Sequence, residues 1–146
     1  MELISKDRNY SQLCIFPEGT TTNGKGVMKF KHGSFFSLTP IQPIYMKYRS
    51  PFCNPSFDII PTLLHLFYVA CQPFIIIEIH RMPVIFPTEE MFEKYKSWGE
   101  SKVEVYCEVA RDIYCKSFGL SKLNQSFINK QQLKIYLFDN KELKIE

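Results

Sequence analysis

One stretch of this 146-residue chain concentrates the residue types that do chemistry: Leu13-Cys14-Ile15-Phe16-Pro17-Glu18-Gly19-Thr20-Thr21-Thr22-Asn23-Gly24. The apolar run Gln12 to Phe16, ended by Pro17 and Gly19, reads as a short buried strand running into a turn. A strand that ends this way presents an acid, hydroxyls and free backbone N–H groups at a sheet edge, which is where α/β proteins bind ligands. By composition alone the same residues are commonly just a turn. Lys25, Lys29 and Lys31 follow closely. They could screen the phosphates of a nucleotide-bearing or lipid substrate, or simply form a solvated basic face.

The elements that must position this segment alternate between strand and helix. Thr20 to Gly26 is too rich in Thr, Asn and Gly for regular structure. Lys29 to Phe36 suggests a short helix, and Ile41 to Tyr48 a strand that Pro40 and Pro43 push toward a sheet edge or its beginning. From Ile59 to Ile77 no charged residue occurs, a length that would reach across a bilayer. Pro73 interrupts it, however, so the reading is a helix from Thr62 to Gln72 followed by a β-branched strand from Phe74 to Arg81. That helix is apolar nearly all round, so it belongs either in a core or partly immersed in a lipid surface. Ser97 and Glu100 carry capping-box spacing ahead of a helix whose apolar positions are Val103, Val105, Tyr106, Val109, Ala110, Ile113 and Tyr114, closed by Gly119. Beyond Leu120 the chain turns polar, with Phe127, Ile128, Leu133, Ile135, Tyr136 and Leu137 suggesting one more amphipathic segment. The pattern gives an α/β fold class: a partial mixed sheet covered by helices.

Phe16-Pro17-Glu18-Gly19-Thr20 resembles the F-P-E-G-T motif of the glycerolipid acyltransferases, and Thr39-Pro40-Ile41-Gln42-Pro43-Ile44 is similar to their later proline-containing strand motif. Glu18 to Asn23, the Phe30-Lys31-x-Gly33-x-Phe35 run, and the helix and strand between Leu64 and Pro83 fall in the order of the lysophosphatidylcholine acyltransferase branch. The resemblance covers Leu13 to Leu120. It implies the latter part of that fold and a reaction that moves a fatty acyl group from coenzyme A to the hydroxyl of a lysophospholipid or glycerol phosphate. Acyl-coenzyme A would be a co-substrate, with no bound cofactor. Phe16, Pro17, Glu18, Gly19 and Thr20 would then form the acceptor-binding turn, Phe16 and Pro17 shaping it and Glu18, Gly19 and Thr20 meeting the glycerol-phosphate part. Lys31 would join them as a phosphate-facing cation. The resemblance also implies a membrane-associated protein of phospholipid metabolism, facing a reducing compartment, with the endoplasmic reticulum as the expected organelle.

Such a reaction needs a base, oxyanion donors and groups for phosphates. In this family the base is a histidine followed five residues later by an aspartate, upstream of F-P-E-G-T; the carboxylate orients the imidazole. Here His32 is followed at that distance by Ser37, His65 by Ala70 and His80 by Ile85, and only fifteen residues precede Phe16. The family's arginine motif for the acceptor phosphate is likewise missing. His65 and His80, on an apolar helix and strand, read as structural, and His32 as solvent-exposed. The expectation is therefore that this chain alone does not catalyse acyl transfer. It is the substrate-binding latter part of an acyltransferase, or a degenerate acyltransferase-like subunit of a membrane complex, or an unrelated α/β domain. A protein chain supplying or covering the missing N-terminal half is one expected partner, and a membrane surface is another.

Composition bounds these readings. The chain is 45% hydrophobic with 13 Phe and 8 Tyr, enough apolar surface to offset the ordering of one domain. Eighteen basic residues interleave with 15 acidic ones, which disfavours a nucleic-acid partner. Five cysteines with no C-x-x-C pair argue against a disulfide framework and against a zinc site. The first residues lack the apolar core of an export signal. The expected organisation is a partial acyltransferase-like domain over residues 1–120 and a polar extension over 121–146.

Overall fold

A computed structural model describes residues 12–22, 24–52, 54–56, 61–124, 131–133 and 135–136. The elements run β1 (Gly26–Val27), β2 (Ile44–Arg49), α1 (Thr62–Ala70), β3 (Ile76–Arg81), α2 (Glu89–Lys94), α3 (Lys102–Phe118) and β4 (Ser121–Lys122), with 3-10 turns at His32–Ser34 and Lys96–Trp98. This is the α/β class expected. The strands form one parallel pair, β1 with β4, and one antiparallel pair, β2 with β3, in the register Ile44 opposite Arg81 to Arg49 opposite Ile76.

The core is built on α3. Its apolar positions recur at helical spacing, so one stripe faces inward. Val105, Tyr106, Cys107, Val109 and Ala110 pack there with Phe35 and Phe92. Tyr106 is fully buried, and its hydroxyl lies 2.9 Å from the Thr39 carbonyl and 3.1 Å from that of Ile85. These carbonyls flank an isolated bridge between Ile41 and Ile85, so one buried phenol fixes where the proline-containing segment passes over α3. Burial pushes this phenol up to about 12, which leaves it a neutral donor. The prolines sit where no ladder donor is needed: Pro43 immediately precedes β2, and its carbonyl accepts from Met82 N–H at 3.0 Å.

The structure shifts three of the expectations. Gln12 to Phe16 forms no strand; Leu13 and Phe16 are exposed, and among the described residues no strand lies beside it to complete a ladder. Lys29 to Phe36 is not an α-helix but a single 3-10 turn. The Lys31 N–H is committed to the Pro17 carbonyl at 2.7 Å, and the Val27 carbonyl, its partner in an α-helix, instead accepts from Leu123 N–H. Capping of α3 falls one turn later than Ser97 and Glu100. Ser101 Oγ accepts from Glu104 N–H at 3.2 Å, and Glu104 Oε2 accepts from Glu100 N–H at 2.8 Å. Just past Leu120, Ser121–Lys122 pairs with β1. Gly119 does close α3, at φ 63°, with its N–H and that of Leu120 both directed to the Cys115 carbonyl.

Helix α1 and strand β3 lie close to the spans expected, but α1 buries no residue. Leu63 is 83% exposed and Phe67 63%. Among the described residues no helix is long and apolar enough to cross a membrane. Of the suggested C-terminal segment, residues 131–133 and 135–136 are helical, while Phe127, Ile128 and Leu137 lie outside the described residues.

The observed cap generates a direct comparison. Ser101→Ala removes a side-chain acceptor from an otherwise orphaned helix N–H and should cost about 1 kcal/mol. Ser97→Ala, at an exposed position, should stay within about 0.5 kcal/mol. Urea unfolding of the two variants checks this; equal losses would contradict the assigned cap.

Candidate functional site

Three backbone-directed hydrogen bonds hold the Phe16 to Thr20 segment in one shape. Gly19 N–H returns to the Phe16 carbonyl at 3.1 Å, closing a four-residue turn with Pro17 at its second position, where a fixed φ is favourable. Lys31 N–H donates to the Pro17 carbonyl at 2.7 Å. Met28 N–H donates to Glu18 Oε2 at 2.9 Å. The turn is thereby clasped to the 28–31 loop at two places, which brings Pro17, Glu18 and Gly19 beside Lys31.

Gly19 is favoured by its backbone conformation, and a side chain there would displace the end of Lys31. Its φ of 66° lies in the left-handed region, and a Cβ there would fall 2.5 Å from Lys31 Cε and 2.6 Å from Lys31 Nζ. The lysine side chain therefore passes directly over the glycine, placing its ammonium against the turn. Lys25, Lys29 and Lys31 are all exposed. Phe16 is 67% exposed and lies outside the core, while Thr20 is half-buried. The following loop is held by its own threonine: Thr22 Oγ1 accepts from Gly24 N–H at 3.3 Å and donates to the Gly26 carbonyl at 3.4 Å.

The electrostatics of Glu18 set it apart from a surface carboxylate. Burial raises its pKa above the ordinary 4.5, opposed by the Met28 hydrogen bond and by the Arg111 guanidinium. Tyr114 lies near enough that burial and then the Glu18 charge push its phenol upward. Arg111, 2% exposed, donates through Nη2 to the carbonyls of Val27 and Leu123 and lies 3.4 Å from Glu108 Oε1. Its Nε has no hydrogen-bond partner among the described residues. Sequence reasoning missed Arg111, although a signal was present: it sits four residues from both Cys107 and Cys115, in a row that α3 buries.

The three histidines remain apart from this turn's hydrogen bonds. His32 occupies the 3-10 turn and is exposed. His65 lies on α1. His80 Nε2 on β3 is 3.8 Å from Glu78 Oε2, beyond hydrogen-bond reach, and its ring stacks on Tyr45. Glu78 is instead engaged by Arg49 Nε at 2.7 Å. The arrangement thus offers a carboxylate, a glycine turn and an ammonium on one small surface, which suits a hydroxylated, phosphate-bearing ligand.

A family profile described as Acyltransferase matches residues 2–47, a stretch that contains the clasped turn. The chain is similar to the lysophospholipid acyltransferase LPEAT1 of Arabidopsis thaliana, at 32% identity over 75% of this chain and 27% of that protein. It is also similar to the human lysophospholipid acyltransferase LPCAT4, at 34% identity over 56% of this chain and 16% of that protein. The lysophosphatidylcholine acyltransferase of Drosophila melanogaster matches at 28% identity over 82% of this chain and 21% of that protein. This chain therefore spans about a quarter or less of the length of these relatives. No solved structure matches. Motif, fold and relatives converge: the chain belongs to the glycerolipid acyltransferase superfamily, on the branch of the lysophospholipid acyltransferases.

Proposed function

We propose that this chain serves acyl-coenzyme A-dependent acyl transfer to the free hydroxyl of a lysophospholipid, and that it contributes the acceptor-binding turn without contributing the base. The observation that carries this is the clasped Glu18-Gly19 turn with Lys31 laid over it. Glu18 accepts hydrogen bonds from hydroxyls of the glycerol part, and Lys31 faces the phosphate. No histidine of the chain stands five residues ahead of an aspartate, so the proton acceptor comes from elsewhere.

The cost of Glu18 supports a binding role. A carboxyl whose folded-state pKa is raised contributes stability that is fully present below the unfolded value and is lost as pH rises through the folded one. Above that folded value the ionised group burdens the fold, a cost that holding a ligand would offset.

The exposed apolar face of α1, with Leu63, Leu66 and Phe67, supports a position at a lipid surface, where a lysophospholipid's hydroxyl would reach the turn while its chain stayed in the bilayer.

Two measurements follow. Glu18→Gln keeps an acceptor for Met28 N–H, so its neutral-pH unfolding midpoint should equal or exceed that of the parent, and the parent's loss of stability with rising pH should disappear. Its affinity for monomeric lysophosphatidylethanolamine, measured by calorimetric titration, should fall about tenfold, as expected for losing a charged hydrogen bond. Marked destabilisation with unchanged affinity would reduce Glu18 to a structural clasp. In flotation with phosphatidylcholine vesicles the chain should rise with the lipid, and Leu63→Glu with Phe67→Glu should abolish this at unchanged stability; a chain that stays in the soluble fraction overturns the lipid-surface placement.

A further inference from the structure

Val27 and Met28 share one peptide unit, and both ends of it are held by charges of opposite sign. Its carbonyl accepts from Arg111 Nη2 at 3.0 Å, and its N–H donates to Glu18 Oε2 at 2.9 Å. The peptide dipole thus points its positive end at the carboxylate and its negative end at the guanidinium, so each charge favours the orientation the other needs. The carbonyl also accepts from Leu123 N–H at 2.9 Å, and the Leu123 carbonyl accepts from the same Nη2. One guanidinium consequently joins α3, β1 and the residue after β4 to the turn.

Stability alone does not account for a charge at this place. A buried arginine is often no better than an apolar residue of similar volume, because desolvation offsets the Coulomb gain. Here the nearest carboxylate on the same helix, Glu108, is 3.4 Å away, and Nε has no partner among the described residues. Its neighbours in the buried row, Cys107 and Cys115, show that the row accepts small apolar side chains. What the guanidinium supplies that an apolar side chain would not is a fixed Val27–Met28 peptide.

We propose that Arg111 is a positioning residue for the acceptor-binding turn: by holding the Val27 carbonyl it fixes the peptide whose N–H orients the Glu18 carboxylate. This rests on the acceptor-binding reading of the turn. Arg111 acts through Glu18 and touches no ligand itself.

The test compares the full chain with Arg111→Met, which keeps the stem and removes the fork, and Arg111→Lys, which keeps the charge. The readouts are the Glu18 carboxyl titration by carbon NMR, affinity for glycerol 3-phosphate by NMR titration, and the thermal midpoint. Arg111→Met should raise the Glu18 midpoint by about one pH unit, as loss of a nearby positive charge requires, and weaken glycerol 3-phosphate about tenfold. Arg111→Lys should restore most of the titration shift and only part of the affinity, because a single ammonium does not bridge two carbonyls as the fork does. A folded Arg111→Met with the parent's titration and affinity overturns the proposal. Should Arg111→Met fail to fold, Arg111→Lys decides alone: full parental affinity contradicts the proposal, and reduced affinity at a parental thermal midpoint supports it. If the parent chain itself does not take glycerol 3-phosphate, the acceptor-binding reading fails, while the Glu18 titration still shows whether Arg111 holds the carboxylate.

Discussion

A single peptide unit, Val27–Met28, is the point on which the rest of the site depends. Glu18 reaches it from the turn and Arg111 from the long C-terminal helix, so two segments far apart in sequence meet across a few ångströms. Hydrogen bonds to charged groups are roughly twice as strong as neutral ones, and burial strengthens them further. Because Val27 also lies in β1, the same peptide ties the turn to the β1–β4 pair. The glycine at position 19 then leaves the space through which the Lys31 side chain passes. The turn is thus held from beneath by a peptide and covered from above by a lysine.

Helix α3 makes this possible by doing two jobs at once. One set of its residues, Val105, Tyr106, Val109 and Ala110, buries apolar surface, while Tyr106 directs its hydroxyl to the segment beside the Ile41–Ile85 bridge. An adjacent row carries Arg111 and Cys115 toward β1, β4 and the turn. Packing therefore fixes α3, and α3 fixes the charge that fixes the turn. The β2–β3 pair meets the end of α3 through Tyr45, whose ring lies 4.5 Å from that of Phe118, while Ile77 and Ile79 on β3 and Leu63 and Phe67 on α1 are all more than half exposed. Under the proposed function, a lipid surface is the occupant that covers these exposed apolar residues.

Much of this was legible from residue types, and the limits have physical causes. Helix α3, its closing Gly119, α1 and β3 follow from periodicity and from proline placement, all local signals. The strand expected at Gln12 to Phe16 did not follow, because an apolar run specifies a strand only when another strand completes its ladder. Ser97 and Ser101 carry the same local pattern, each with a glutamate three residues on, and only the observed hydrogen bonds place the cap at Ser101. For the candidate site, the motif points to Glu18 and Gly19 and the Phe30-Lys31-x-Gly33 run to Lys31, whereas neither points to Arg111. Its partners are backbone atoms 84 and 12 residues distant, and backbone carbonyls carry no sequence signature.

Under the proposed function this chain binds the acceptor while the base comes from outside these 146 residues. Acyl transfer from radiolabelled acyl-coenzyme A to lysophosphatidylethanolamine by the purified chain tests it most directly, with acceptor retention followed in the same samples by equilibrium dialysis. Saturable retention of lysophosphatidylethanolamine, lost in Gly19→Val, is the expected result, with no labelled product. Labelled product that disappears in Glu18→Ala would contradict it.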